Sequence, residues 1–235
     1  ILSTDNNYNI NELRKFHNYI KIQLINNAVQ LNNASSLLDI AVGRGGDINK
    51  WIHAKLKYIV GFDNHAESIF SNTKKGGDFD GAIARFTNFR NTNKKVPFIK
   101  FYKLSALDTN ALSFLNSKDN NKFYDIVSCQ FALHYFAQSD DTLKQVLNLV
   151  SNKLNKGGLF IGTATNGDLI KNILENGNVS IPLLTLMTKN DGYLFHIDST
   201  DNKFRKNYFE IQGVSEEYYL IKDKFIQLAL ECNLE

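Results

Sequence analysis

Apolar residues along the chain follow two alternating patterns. Over residues 10–31, Leu13, Phe16, Ile20 and Leu24 recur at spacings of three and four, which predicts an amphipathic helix with these side chains on its apolar face. Elsewhere, short apolar runs bounded by glycine or polar residues predict buried strands. The predicted strands are residues 36–41, 58–62, 98–103, 125–131 and 159–163, and the further helices are residues 47–56, 80–91, 139–154 (with Ser139 as N-cap) and 221–233.

The predicted strands and helices alternate along the chain. This order, with fully apolar strands, is typical of the doubly wound, Rossmann-like α/β class, in which ligands bind beyond the carboxyl ends of parallel strands. Asp39, Asp63 and Gln130 fall near such ends. Residues 166–220 are irregular and too many for a plain loop, so we expect an inserted substrate-binding segment there. The prediction is a single domain with an N-terminal helical region (1–33), a ligand-binding core (34–165), this insert and a C-terminal helix (221–235).

The composition is ordinary for a globular chain and excludes few functions. Of 235 residues, 43% are hydrophobic, and no apolar run approaches the roughly 20 residues that span a bilayer. The net charge of +3 permits an anionic ligand such as RNA without requiring one. Cys129 and Cys232 form neither a disulfide framework nor a zinc motif, which favours a reducing compartment and no metal. Because the chain starts at Ile1 instead of Met, we expect a piece of a longer polypeptide.

A glycine turn joins the first predicted strand to the next helix, with the spacing Asp39-x-x-x-Gly43-x-Gly45-Gly46. Such a turn suits either a dinucleotide pyrophosphate or the carboxylate of S-adenosylmethionine (SAM). The spacing is not Gly-x-Gly-x-x-Gly, and Asp39 would repel a pyrophosphate, so SAM is favoured, with a turn that binds nothing as the alternative. Asp63, 24 residues after Asp39, is placed to accept the two ribose hydroxyls of either nucleoside.

Five runs of sequence resemble one enzyme family, the mRNA cap guanine-N7 methyltransferases. The most selective is the Ser-Cys-Gln-Phe-x-x-His-Tyr run over residues 128–135. The Asp-Gly-Ala-x-x-Arg run over residues 80–85 is similar to that of capping enzymes of large DNA viruses in particular. The runs together span nearly the whole chain and comprise residues 16–25, 39–47, 80–86, 123–135 and 157–163.

The resemblance implies a class I SAM-dependent methyltransferase that methylates N7 of the mRNA cap guanine and releases S-adenosylhomocysteine. N7 is already a lone-pair nucleophile, so an in-line SN2 transfer needs no general base. The enzyme would work by proximity, alignment and electrostatic matching of its two substrates. We therefore expect no residue to act as a catalytic acid or base.

The resemblance also implies a set of SAM contacts. Lys21 would reach the SAM carboxylate, Asp63 the ribose, and Gln130 and Phe131 the surroundings of the sulfonium. Asp47 is either a SAM contact or only a cap of the helix that follows. Without the motif, Lys21 would be an ordinary solvated lysine on an amphipathic helix. The implied set is Lys21, Asp39, Ala41, Gly43, Asp47, Asp63, Ser105, Gln130 and Phe131.

For the cap, the resemblance implies that His134 and Tyr135 border the guanine pocket and that Glu217 recognises the base, with Glu216 as the second choice. A carboxylate accepts hydrogen bonds from guanine N1–H and the 2-amino group together, a pattern that adenine lacks. Taken alone, His134 would more often be a structural histidine and Tyr135 a core aromatic. The remaining implied cap contacts are Asn18, Arg44 and Arg85, the arginines being candidates for the triphosphate bridge, although Arg44 could instead face solvent.

Three features depart from the family pattern. Ala41 stands where the first glycine of the turn is usual, which we expect to be tolerated only if its φ is negative. Ser105 occupies the place of an acidic residue near the adenine, so the adenine contacts are less defined. The chain stops at Glu235, before a final antiparallel hairpin that contributes an aromatic to the cap pocket in the family.

Two other functions fit parts of the sequence. A SAM methyltransferase acting on tRNA or a small molecule would share the glycine turn and Asp63, and a silent methyltransferase-like module that stimulates a partner would need only the fold. A dehydrogenase is disfavoured by the glycine spacing. For a capping enzyme, the expected partners are the capped 5′ end of mRNA and further capping domains in the same polypeptide, without a membrane and with no oligomer implied. The location would be the cytoplasm, a viral factory or the virion for a virus, and the nucleus for a cellular source.

Overall fold

A parallel sheet of five strands in the order β3-β2-β1-β4-β5 lies at the centre of the fold. The computed structural model describes residues 10–72, 80–92, 95–120, 122–181, 184–197 and 214–235. The chain runs from β1 outward to β3 and then returns to the other side of β1, so the strand order reverses between β1 and β4. The strands are β1 (Ser36–Ile40), β2 (Tyr58–Asp63), β3 (Phe98–Lys103), β4 (Tyr124–Gln130) and β5 (Leu154–Thr163). Open α/β sheets bind ligands at the point where the strand order reverses, which here lies between β1 and β4.

Neighbouring residues of the central strands are buried on opposite faces of the sheet. Leu37 and Ile59 pack into one apolar cluster with Trp51, while Leu38 and Val60 pack into another. Two covered faces explain why the strands read as continuous apolar runs, and they confirm the predicted doubly wound class. The helices in chain order are α1 (Ile10–Asn32), α2 (Ile48–His53), α3 (Ala66–Phe70), α4 (Ala82–Thr92), α5 (Ala111–Lys118), α6 (Asp140–Lys153), α7 (Gly167–Glu175) and α8 (Lys222–Glu231), with a 3-10 turn at Leu133–Phe136 between β4 and α6.

A second, antiparallel sheet fills much of the region predicted as an irregular insert. Its strand order is β6-β7-β8-β9, and it has a small core of its own formed by Leu174, Leu186 and Tyr193. The last strand packs against the 3-10 turn at the carboxyl edge of the central sheet. Residues 198–213 of the predicted insert lie outside the described residues. The strands are β6 (Val179–Ile181), β7 (Leu184–Lys189), β8 (Gly192–Ile197) and β9 (Val214–Tyr218).

The predicted cap of α6 agrees with the structure, whereas the predicted apolar face of α1 agrees only in part. Ser139 caps α6 as predicted, with its hydroxyl accepting from the Thr142 amide. In α1 only the second half of the predicted apolar face is covered: Leu13 and Phe16 are exposed, whereas Ile20 and Leu24 are half-buried beside the fully buried Ile25. In the part of the chain that the structure describes, no helix is long and apolar enough to cross a membrane.

Candidate active site

A cleft opens above the carboxyl ends of β1, β2 and β3, beside the 3-10 turn. It measures about 420 Å³ with its open mouth included. Residues following all three strands contribute to its wall, as expected from the strand order. Four residues singled out in the sequence line it, namely Ala41, Asp63, Ser105 and Tyr135.

Ala41 adopts a left-handed backbone conformation, with φ of +62°. The expectation of a negative φ at this position was therefore wrong. The next residue donates its amide to the Phe62 carbonyl at 3.0 Å, and the Gly43 amide donates to Asp63 Oδ2 at 2.9 Å. These two bonds tie the turn to the end of β2, so Ala41 keeps the path that a glycine would take despite its methyl group.

Replacing Ala41 with glycine is expected to stabilise the protein by about 0.5–1 kcal/mol, because the substitution relieves an unfavourable φ for an L-residue. Chemical denaturation measures this change directly. Ala84→Gly, in the first turn of α4, is the matched control and should destabilise by up to about 1 kcal/mol. A loss of stability in Ala41→Gly would show that the turn is not strained.

Asp63 ends β2 with both carboxylate oxygens engaged by backbone amides. Oδ2 accepts from Gly43 at 2.9 Å, and Oδ1 accepts from His65 at 2.9 Å. A carboxylate oxygen has two lone pairs and can accept more than one hydrogen bond. The two backbone amides thus hold the side chain in one orientation at the wall of the cleft.

Asp39 lies beneath the glycine turn and is buried, with only 3% of its surface exposed. Its Oδ1 has no hydrogen-bond partner among the described residues. Burial and the nearby carboxylate of Asp47 raise the pKa of Asp39 well above its usual range, against a smaller opposing effect of a hydrogen bond from Ser128. A cationic ligand group beside Oδ1 would stabilise the charged form of this buried carboxyl, which burial disfavours.

Asp39→Asn is expected to stabilise the ligand-free protein progressively as the pH rises. A raised pKa means that the folded state binds more protons than the unfolded state above the ordinary carboxyl pKa, so wild-type stability falls as the pH rises through that window. Between about pH 4 and pH 8, the free energy of unfolding of the variant relative to wild type should therefore increase with pH. Urea titrations across this range test it, and parallel curves for the two proteins would contradict it.

Helix α1 brings Lys21 against the glycine turn. Lys21 Nζ lies 2.6 Å from Asp47 Oδ1, and Lys50 Nζ lies 2.8 Å from the same oxygen. Burial alone would raise the pKa of Asp47, but the two ammonium groups outweigh it and the net shift is downward. Two cations on one carboxylate leave a surplus positive charge here. Asp47 makes no side-chain capping bond to α2, so its main contacts are these two lysines.

Sequence reasoning missed Lys50. The signal was available, because Asp47 and Lys50 are three residues apart and such pairs meet on a helix surface. Lys50 Nζ also donates to the Gly46 carbonyl at 3.1 Å, which fixes the ammonium beside the turn.

Gln130 and Phe131 end β4 at the boundary between the two halves of the sheet. Gln130 accepts from the Thr163 hydroxyl at 3.0 Å and donates to Ser128 Oγ at 3.2 Å. Phe131 has a φ of +56°, unusual for an aromatic residue, and its amide donates to the Thr163 carbonyl at 2.8 Å. The strained backbone turns its ring toward α1, where the His17 ring lies 4.4 Å away between centroids.

Glu217 faces His134 in the space between β9 and the 3-10 turn. Both side chains are buried, and His134 Nε2 lies 3.6 Å from Glu217 Oε1. Burial lowers the pKa of His134 to about 4 and raises the pKa of Glu217. His134 is therefore neutral at physiological pH. Neither of its ring nitrogens has a hydrogen-bond partner among the described residues.

Three polar residues that the sequence did not point to support Glu217 and Tyr135. The Tyr193 hydroxyl donates to Glu217 Oε2 at 2.8 Å and lies 2.6 Å from the Thr165 hydroxyl. The Tyr135 and Ser215 hydroxyls are 2.8 Å apart. Tyr193 and Glu217 are direct partners in the β8–β9 ladder, a pairing that only the folded sheet reveals.

The structure separates the two candidate glutamates. Ser215 and Glu217 point inward from β9, and Glu216, between them, points outward. Glu216 pairs with Lys189 at the surface. Of the two, Glu217 is the one brought beside His134 and Tyr135.

The remaining predicted cap contacts lie on the glycine-turn side of the cleft. Asn18 is exposed on α1, one turn before Lys21. Arg44 is half-buried within the glycine turn, and Arg85 is half-buried on α4. The charge of Arg85 contributes to lowering the pKa of Lys50, after the larger effect of burial, which places the guanidinium near the Lys21–Asp47–Lys50 cluster.

The fold, with its cleft at the carboxyl edge of a parallel sheet, is the Rossmann-like fold of class I methyltransferases. Two solved structures share this fold. One is a SAM-dependent methyltransferase from Clostridium acetobutylicum, with a TM-score of 0.56 and 16% identity, covering 90% of this chain and 78% of that chain. The other is a protein from Pyrococcus horikoshii, with a TM-score of 0.58 and 17% identity, covering 97% and 84%. At these identities the similarity concerns the fold alone.

The chain belongs to the mRNA (guanine-N(7))-methyltransferase domain family, whose profile matches residues 2–215. This confirms the resemblance seen in the sequence. The chain is 34% identical over 222 residues, or 94% of its length, to an mRNA cap guanine-N(7) methyltransferase of Oryza sativa. It is 32% identical over 170 residues, or 70% of its length, to that of Caenorhabditis briggsae. A probable mRNA-capping enzyme of Acanthamoeba polyphaga mimivirus is 28% identical over 185 residues, or 72% of this chain. The chain spans only 53%, 42% and 15% of these relatives, respectively.

Proposed function

We propose that this domain transfers a methyl group from SAM to N7 of the guanine that caps mRNA. The observation that carries the proposal is the buried Glu217, held by Tyr193 and facing His134 and Tyr135 at the carboxyl edge of the sheet. Membership in the family supports the same reaction.

The residues that line the cleft and those beneath and beside the glycine turn fit the two ends of SAM. The orphaned, buried Oδ1 of Asp39 matches an ammonium group, and the surplus positive charge of Lys21 and Lys50 on Asp47 matches a carboxylate. Asp63 would hold the ribose diol through its carboxylate oxygens, and Ser105, which also lines the cleft, would lie beside the adenine. When bound, SAM supplies an electrophilic methyl carbon on a sulfonium, and guanine N7 attacks that carbon.

Glu217 would select guanine over adenine. As a carboxylate it accepts from N1–H and the 2-amino group, and a base without these donors would leave the buried charge unpaired. The Tyr193 hydroxyl bond favours the charged form of Glu217 against the burial that opposes it. A neutral His134 beside it adds no charge that would compete with the base.

The protein groups then act by positioning. N7 carries no proton, so no side chain has to remove one, and alignment of two bound substrates can supply several kcal/mol. The left-handed Phe131 and the Gln130–Thr163 bond give a rigid boundary between the SAM side and the cap side of the cleft. Arg44 and Arg85 would engage the triphosphate bridge, since guanidinium groups form paired bonds to phosphate oxygens, and Asn18 would be a further cap contact.

We further propose that the domain works next to the activities that build the unmethylated cap. Its substrate, GpppN-RNA, must come from a guanylyl transfer to a 5′-diphosphate end. The mimivirus relative, of which this chain matches 15%, is named as a capping enzyme and is long enough for such additional domains. The reaction would take place where capped transcripts arise, in the nucleus of a cell or in the cytoplasm for a virus that transcribes there.

The base preference of the pocket tests this proposal. In calorimetric titrations the protein, saturated with S-adenosylhomocysteine, should bind GpppA at least tenfold more tightly than ApppA, the expected cost of losing about one buried hydrogen bond to a charged group. Glu217→Gln should remove that preference. Equal affinity for the two dinucleotides in the wild-type protein would exclude guanine as the recognised base.

A further inference from the structure

Lysines collect at the amino edge of the central sheet, opposite the cleft. Lys57 precedes β2, Lys95 precedes β3, and Lys118 and Lys122 flank the loop that leads into β4. Because all five strands are parallel, the loops before them meet at one edge. We call these four lysines, together with Phe98 and Phe123, the basic edge.

The carboxylates at the basic edge are already engaged. Asp119 is buried, accepts hydrogen bonds from the Tyr58 and Tyr124 hydroxyls, and pairs with Lys100 at 2.9 Å. Asp125 accepts from the amides and hydroxyls of Ser35 and Ser36. Among the described residues, none of the four lysines of the basic edge lies within ion-pair distance of a carboxylate. Some surface lysines elsewhere have acidic partners, as in Lys15–Glu12, Lys144–Glu231 and Lys224–Asp140.

Two aromatic rings project among these lysines. Phe98 is 56% exposed and Phe123 is 52% exposed. Phe98 is held in place by stacking on Tyr58 at 5.4 Å between centroids, with Lys100 Nζ 5.7 Å from its ring. Lys122 Nζ lies 4.8 Å from the Tyr58 ring. Exposed rings on a rigid base, near ammonium groups that have no carboxylate partner among the described residues, suit a flexible single-stranded nucleic acid, which binds by base stacking and phosphate contact.

We infer that the basic edge binds the body of the transcript, downstream of the cap. The ammonium groups contact phosphates, and Phe98 and Phe123 stack with bases. The identity of this ligand as the substrate's own RNA rests on the proposed function. A six-residue strand is about 20 Å long, so the edge and the cleft are at least that far apart, and only an RNA of some length occupies both. The edge therefore adds affinity for long capped RNA and none for a cap dinucleotide.

The test compares two triple variants that lose equal charge. One is Lys57→Gln/Lys118→Gln/Lys122→Gln at the edge, and the matched control is Lys15→Gln/Lys144→Gln/Lys224→Gln at ion-paired positions. Affinity is measured by fluorescence anisotropy with an uncapped single-stranded RNA of about 25 nucleotides, longer than the roughly 4–16 nucleotides of typical single-strand sites. Methyl transfer is measured in parallel on GpppG.

The edge variant should bind this RNA at least tenfold more weakly than wild type. A plot of the logarithm of its binding constant against the logarithm of the salt concentration should be shallower by about two units, at roughly 0.7 per lost phosphate contact. The control should stay within about twofold, and both should methylate GpppG like wild type. Phe98→Ala should also weaken RNA binding several-fold. Unchanged RNA affinity in the edge variant, or an equal loss in the control, overturns the inference and leaves an acidic protein as the partner to test. Absence of GpppG methylation in the wild type would instead count against the proposed function and leave the RNA-binding result interpretable.

Discussion

Glu217→Gln is expected to lower kcat/KM for capped RNA about a hundredfold, because one of the two guanine donors would lose its carboxylate acceptor and meet the amide NH₂ in a buried site. The affinity for S-adenosylhomocysteine should stay within about twofold, since Glu217 lies on β9 with its contacts to Tyr193 and His134, outside the set that fits SAM. Steady-state kinetics and calorimetry measure the two effects separately.

Glu216→Gln provides the matched control for this experiment. The two residues are adjacent on β9 and the change in charge is identical, but Glu216 points outward and pairs with Lys189. Its loss should leave cap kinetics unchanged within about twofold, as for an ordinary surface ion pair. If Glu216→Gln were as damaging as Glu217→Gln, or if Glu217→Gln lost SAM affinity in proportion, the assignment of the guanine reader to Glu217 would be wrong.

Asp63→Ala is expected to have the opposite pattern, weakening S-adenosylhomocysteine binding about thirtyfold to a hundredfold while the affinity for GpppG stays nearly intact. Removal of the carboxylate takes away two charge-assisted hydrogen bonds to the ribose. It also leaves the Gly43 and His65 amides without their acceptor, so the protein should lose about 1–3 kcal/mol of stability as well.

Two further variants separate binding from folding. Asp63→Asn keeps one acceptor oxygen and should recover part of the stability, but with one acceptor it should still bind S-adenosylhomocysteine weakly. Glu67→Gln, an exposed change of equal charge four residues away, should alter neither property. Titrations well below each variant's melting temperature provide the comparison. Wild-type affinity in Asp63→Ala would remove Asp63 from the SAM site.

Local signals in the sequence predicted the central sheet well. The apolar runs of β1, β2 and β4 are continuous because helices cover both faces, and Ser139 caps α6 through a bond made within one turn. The turn after β1 and Asp63 at the end of β2 could be placed at the same edge because parallel strands bring their carboxyl ends together. These features depend on short stretches of chain and on one topological rule.

Features that depend on distant contacts were missed or misread. The burial of α1 is decided by what it packs on, so Ile25 is covered while Leu13 and Phe16 are not, although all three are apolar. The second sheet arises from pairings such as Tyr193 with Glu217, which are 24 residues apart and have no local pattern that predicts them. Ala41 shows that two hydrogen bonds to the neighbouring strand can impose a backbone angle against a residue's own preference.

The central claim is tested most directly by incubating the protein with methyl-labelled SAM and RNAs that differ only at the 5′ end. RNA capped with GpppA should accept label, and digestion should release it as m7GpppA. Uncapped RNA and ApppA-capped RNA should remain unlabelled. Label on the uncapped RNA, label at any position other than guanine N7, or no label on the GpppA-capped RNA would contradict the account.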